Sequence, residues 1–80
     1  MKNPIAAADA LGCPVVDANG TEVGTIEDLM IDTQRGGIAY VMMATTSERG
    51  DALVAVPWHA LSHDAERQRF VIDEAALRYP

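Results

Sequence analysis

One cysteine, one phenylalanine, one tryptophan and only six basic residues are the scarcities of this 80-residue chain. Each closes off a class of protein. Cys13 alone cannot form an intrachain disulfide, and an unpaired thiol suits a reducing compartment, so the expected location is cytoplasmic. Six Lys and Arg against twelve Asp and Glu give a formal charge of −6. That charge repels phosphate and removes the basic footprint of nucleic-acid or anionic-membrane binding, so no nucleic-acid partner is expected. The longest apolar stretch, Ile38 to Ala44, is far short of the roughly 20 residues of a spanning helix. Direct membrane insertion is therefore not expected. The N-terminal MKNPIAAADALG has a single lysine and alanines broken by Asp9, without the apolar run of an export signal.

Bulky apolar side chains are also short. Of 39 apolar residues, 13 are alanines and 18 are Ile, Leu, Val or Phe, so the core has less volume than its composition implies. A chain of this length makes one domain, residues 1–80, with one core. Such a domain hides only about 60% of the surface its unfolded chain exposes, which makes oligomerisation a natural source of extra burial.

What is present is a regular succession of turn signals: Gly12 and Pro14, Asn19-Gly20, Arg35-Gly36-Gly37, Arg49-Gly50-Asp51 and Ser62-His63-Asp64. Asn19-Gly20 favours the left-handed dihedrals of a type I′ turn, which pairs 13–17 with 22–32. In the second strand, apolar positions 23, 26, 29 and 31 switch parity, as a strand with bulges does. Gly24 and the flanking turns favour strand over helix there. Ile38 to Thr46 is the clearest strand, with Ile38, Tyr40 and Met42 on one face and Ala39, Val41 and Met43 on the other. Leu53 to Val56 is likewise apolar on both faces, and Pro57 ends it because proline cannot donate to a ladder. Phe70 to Ile72 forms a further short strand, after which Asp73 caps a helical turn from Glu74 to Tyr79. Strands this close leave no room for crossover helices. The expected fold is all-β: a small antiparallel β-barrel of five or six short strands with a short C-terminal helical turn.

Three segments together carry a resemblance: Val15 to Asp32, Gly37 to Val41, and Leu53 to Leu61 with its Val56-Pro57-Trp58. In this order and spacing they resemble the PRC-barrel family over about residues 9–73. The resemblance implies a small all-β barrel without shared catalytic residues, acting as an adaptor or assembly module and often as a homodimer. The chain resembles a stand-alone member, and departs from the pattern at the short polar link Thr45 to Asp51, where many relatives carry a longer glycine-rich segment.

Chemical sites are weakly indicated. His59 and His63 lie four apart with Asp64 beside them, the makings of a small metal- or ligand-binding regulator. No His-Glu-x-x-His is present, however, and exposed turn histidines are the plainer reading; no metal and no cofactor is expected. Cys13 has no neighbouring base in sequence to activate it and reads as a small apolar filler. Glu27, Asp28 and Asp32 form no Asp-x-Asp-x-Asp-Gly loop, and Asp28 and Asp32 are assigned to backbone amides and a turn. Asn19, Gly20, Gly24, Pro57 and Trp58 are assigned structural roles, with the Trp58 ring closing one end of the barrel. The expected function is a non-enzymatic interaction module that self-associates and also meets another protein. With the bulkier Ile38 set placed inside, Val41, Met43, Val54 and Val56 are the expected interface.

Overall fold

Residues 4–45 and 52–77 are described by a computed structural model. A short helix α1 (Ala7–Ala10) precedes β1 (Pro14–Val16), β2 (Glu22–Ile31), β3 (Ile38–Thr45) and β4 (Leu53–Pro57). A 3-10 helix, Trp58–Ala60, leads into β5 (Leu61–Asp64), β6 (Arg69–Ile72) and a short helix α2 (Glu74–Leu77). The polar link at 46–51 and the end of the expected helical turn at Tyr79 lie outside the described residues.

The fold is all-β. Its six strands form one curled half-barrel sheet in the order β4-β3-β2-β1-β6-β5. Four of the five neighbouring pairs are antiparallel, but β1 and β6 run parallel, with Val15 opposite Phe70 and Val16 opposite Val71. Uniform antiparallel pairing is corrected at that point. Tight turns announce only pairs adjacent in sequence, and β1 and β6 come from opposite ends of the chain. The sheet also has two ends, β4 and β5, where a closed barrel has none. The three-residue 3-10 helix links these ends between Pro57 and Leu61, and among the described residues no strand pairing closes the seam between β4 and β5.

Aspartates organise the turns. Asp17 Oδ1 accepts from the N–H groups of Asn19 (2.9 Å) and Thr21 (3.0 Å). Gly20 N–H donates to the Asp17 carbonyl, and Gly20 alone in this loop has a left-handed φ, +85°. A type I′ turn needs positive φ at both Asn19 and Gly20, so this loop is instead an Asp17-anchored turn ending in one left-handed glycine. Asp32 acts similarly between β2 and β3, accepting from Gln34 N–H at 3.0 Å and Arg35 N–H at 3.1 Å. The Ser62-His63-Asp64 turn signal falls in strand β5, and the chain reverses one step later, through residues 65–68. Asp73 Oδ1 accepts from Ala75 N–H at 3.1 Å and so caps α2.

The core gathers Val15, Ile26, Val41, Met43, Val56, Phe70 and Ile72 from five strands. A shift in the β2–β3 register between Ile26 and Asp28 puts Ile26 and Leu29 opposite Met43 and Val41, on the same side of the sheet. This is the parity switch legible in the apolar spacing of β2. Gly24 lies beneath Met43: a Cβ at this position would run into the Ala44 carbonyl oxygen and come within 2.7 Å of Met43 Cγ.

Candidate functional site

Which face of β3 looks inward decides what surface the molecule offers. Val41 is fully buried, Val56 is 2% exposed and Met43 5% exposed. The expected interface is therefore corrected at these three residues, which belong to the core. The reason lies in their cross-strand neighbours, which share a face. Val41 is flanked by Leu29 and Val56, and Met43 by Ile26 and Val54, so this face is branched and apolar across three strands. Met42, in contrast, is flanked by Asp28 and Ala55. An ionised carboxylate in that row would be costly to bury, so the Met42 face turns to water.

That outer face has three rows across β2, β3 and β4: Met30-Tyr40-Pro57, Asp28-Met42-Ala55 and Thr25-Ala44-Leu53. Among these nine positions Asp28 is the only ionisable carboxylate, and its Oδ1 accepts from Leu29 N–H at 2.9 Å. Met30, Tyr40 and Leu53 are exposed, as is Ile31 at the end of β2, which pairs with half-buried Ile38. The acidic chain thus carries an apolar strip on one sheet face. Val54 shares the inner face with Met43 but stays 38% exposed, because the seam beside β4 is open there.

The other singled-out side chains do not assemble into a reactive centre. His59 is exposed on the 3-10 helix; His63 is exposed on β5, with its ring centroid 4.9 Å from that of Phe70. Trp58 is half-buried and packs on the other side of the seam corner, 5.9 Å from Phe70 in a tilted arrangement. Asp64 is engaged, accepting from Arg69 Nε at 3.1 Å and Arg67 Nη1 at 3.4 Å. Desolvation pushes its carboxyl upward, but the Arg67 backbone N–H and the two guanidiniums together outweigh this and hold it below its ordinary value. No group of three or more His, Cys, Asp or Glu side chains is placed to hold a metal among the described residues.

A shallow cleft of about 530 Å³ has Asp9, Cys13, His63 and Gln68 on its walls. Cys13 is half-buried, and its thiol donates to the Asp9 carbonyl at 3.1 Å. Gln68 is the only non-glycine residue with a left-handed φ, +51°, among the described residues. It closes the β5–β6 hairpin, and sequence reasoning had no signal for it, since neither glycine nor asparagine stands there. The anchoring role of Asp17 was also missed, although an aspartate two residues before Asn-Gly fits an Asx turn.

No helix among the described residues is long and apolar enough to cross a membrane. The family model of the PRC-barrel domain matches residues 3–78. Among solved structures, a Pseudomonas aeruginosa protein described as a 16S ribosomal RNA processing protein, RimM, is similar over 86% of this chain, with a TM-score of 0.57 and 19% sequence identity. The similarity takes in 43% of that protein, so this chain spans less than half of its length. At this identity the likeness concerns the fold. None of the curated proteins matches the chain.

Proposed function

The chain belongs to the PRC-barrel domain family, and on that premise we propose that it is a non-enzymatic interaction or assembly module that pairs with a second copy of itself and presents an acidic surface to another protein. The observation that carries this reading is the apolar strip of Met30, Tyr40, Met42, Ala55 and Leu53 on a chain of charge −6. A soluble domain with few large apolar residues gains little by leaving them in water, and in a symmetric pair the same patch of both copies meets at the axis. The engagement of Asp64 with two arginines, which ties up the acid beside His63, favours binding over bond chemistry. The formal charge of −6 argues against a polyphosphate partner, and a lone cysteine fits the cytoplasm.

Light scattering across protein concentrations tests the self-association. At micromolar concentration the mass is expected to be twice the 8.6 kDa of one chain. A monomer persisting at about 100 μM would overturn the reading, because the binding energy would then be below about 6 kcal/mol.

A further inference from the structure

The free edge of β4 carries a more specific inference, which rests on the self-association reading and names its contact. β4 has one neighbour, β3, and nothing pairs with its other side among the described residues. Which of its peptide groups face that open side follows from a single bond: Thr45 N–H donates to the Ala52 carbonyl at 2.9 Å. Thr45 and Ala52 stand opposite one another, one step beyond the Ala44–Leu53 pair. In an antiparallel ladder, bonded pairs alternate with non-bonded ones. Met43–Val54 and Val41–Val56 are therefore also bonded pairs, and the N–H and C=O groups of Val54 and Val56 point to β3. Those of Leu53 and Ala55 point away, into the open seam. Pro57 falls on the same outward parity, so its missing N–H costs the β3–β4 ladder nothing.

We infer that two copies of this chain join edge to edge through β4, antiparallel, about a two-fold axis passing beside Val54. In this register Leu53 of one copy stands opposite Ala55 of the other, and each pair exchanges both hydrogen bonds. All outward donors and acceptors of Leu53 and Ala55 are then satisfied in both copies. The alternative two-fold at Ala55 sets Leu53 against Pro57, which has no N–H, and leaves the Leu53 carbonyl without a donor. Of these two registers, the one about Val54 makes the strand complementary to itself. Its chemistry fits a second copy as well: Leu53 to Pro57 contain no ionisable group, so two chains of charge −6 meet where neither carries charge. Natural edges are commonly guarded by lysine, an inward charge or a bulge, and β4 has none of these along Leu53 to Val56. Val54, left exposed on the inner face, gains its counterpart across the axis. The Leu53, Ala55, Met42 and Tyr40 strip becomes continuous over both copies.

Backbone amide exchange of the unaltered chain, followed by NMR at two concentrations, tests the pairing. At high concentration the Leu53 and Ala55 amides are expected to exchange about tenfold more slowly, or more, than on dilution, while Val54 and Val56 stay protected throughout by β3. In parallel, Ala55→Pro removes an outward N–H and no bond within the monomer, so it is expected to keep the strand signal in circular dichroism and halve the mass. A dimer whose Leu53 and Ala55 amides exchange equally fast at both concentrations overturns the β4 pairing and leaves self-association standing. A chain monomeric at about 100 μM overturns both. Should proline unfold the chain, the exchange pattern of the unaltered protein decides alone.

Discussion

Asp64 shows how much a single side chain can carry at the residue scale. Its carboxylate ties Arg69, across the β5–β6 ladder, to Arg67 in the turn, and accepts from the Arg67 backbone. A group whose folded pKa is depressed adds stability that is complete above its unfolded value and is lost as pH falls through the folded one. The stability gap between the native chain and Asp64→Asn is therefore expected to be full at neutral pH and to close progressively below about pH 4. Urea denaturation of both proteins at pH 7 and pH 3 measures it, and a gap of equal size at both would contradict the ionic role. The sequence marked Asp64 as the end of a turn signal and as a neighbour of His63, not as an ion-pair partner. Ion pairs between a strand and its own hairpin turn depend on where the chain reverses, and the reversal at 65–68 carries no glycine or proline to betray it. Asp28 and Asp32 were more legible, because a short carboxylate beside a turn or bulge has few partners other than local amides.

Five of the six strands were legible as elements, β5 having the look of a turn, while their facing was only partly so. The bulged course of β2 follows from its apolar spacing, and Pro57 ends β4 where its sequence says it should. The inward face of β3 was misjudged because bulk was compared within one strand, Ile38, Tyr40 and Met42 against Ala39, Val41 and Met43. The choice belongs to the sheet: Ile26, Leu29 and Val56 flank one face, Asp28 and Ala55 the other. A direct consequence is that charge is tolerated at one residue and not at the next. Val41→Asp places an unpaired carboxylate in the core and is expected to abolish the folded signal in circular dichroism. Met42→Lys places an ammonium on the outer face beside Asp28 and is expected to leave the strand signal intact. The reverse outcome would return Met42 to the core and Val41 to the surface.

For the whole molecule, all-β architecture was foreseeable from dense turn signals in a short chain, but the parallel β1–β6 pair and the open seam were not. The first arises from how opposite ends of the chain meet and the second from the lack of pairing between β4 and β5 among the described residues, and no local pattern encodes either. The open seam also explains why a small core suffices. A sheet that ends at an uncharged β4 can be extended by a second β4, which adds burial to what 18 large aliphatic and phenyl side chains supply within one copy. Association then stabilises the folded chain by mass action, and the most direct measurement is the denaturation midpoint as a function of protein concentration. For a dimer that unfolds to two chains, each tenfold rise in concentration adds about 1.4 kcal/mol per mole of dimer. The midpoint in urea is expected to climb steadily between about 1 and 100 μM, on the scale where such affinities lie. A midpoint that stays fixed over that range would mean that the chain does not associate there and that the β4 edge and its apolar face have no structural partner.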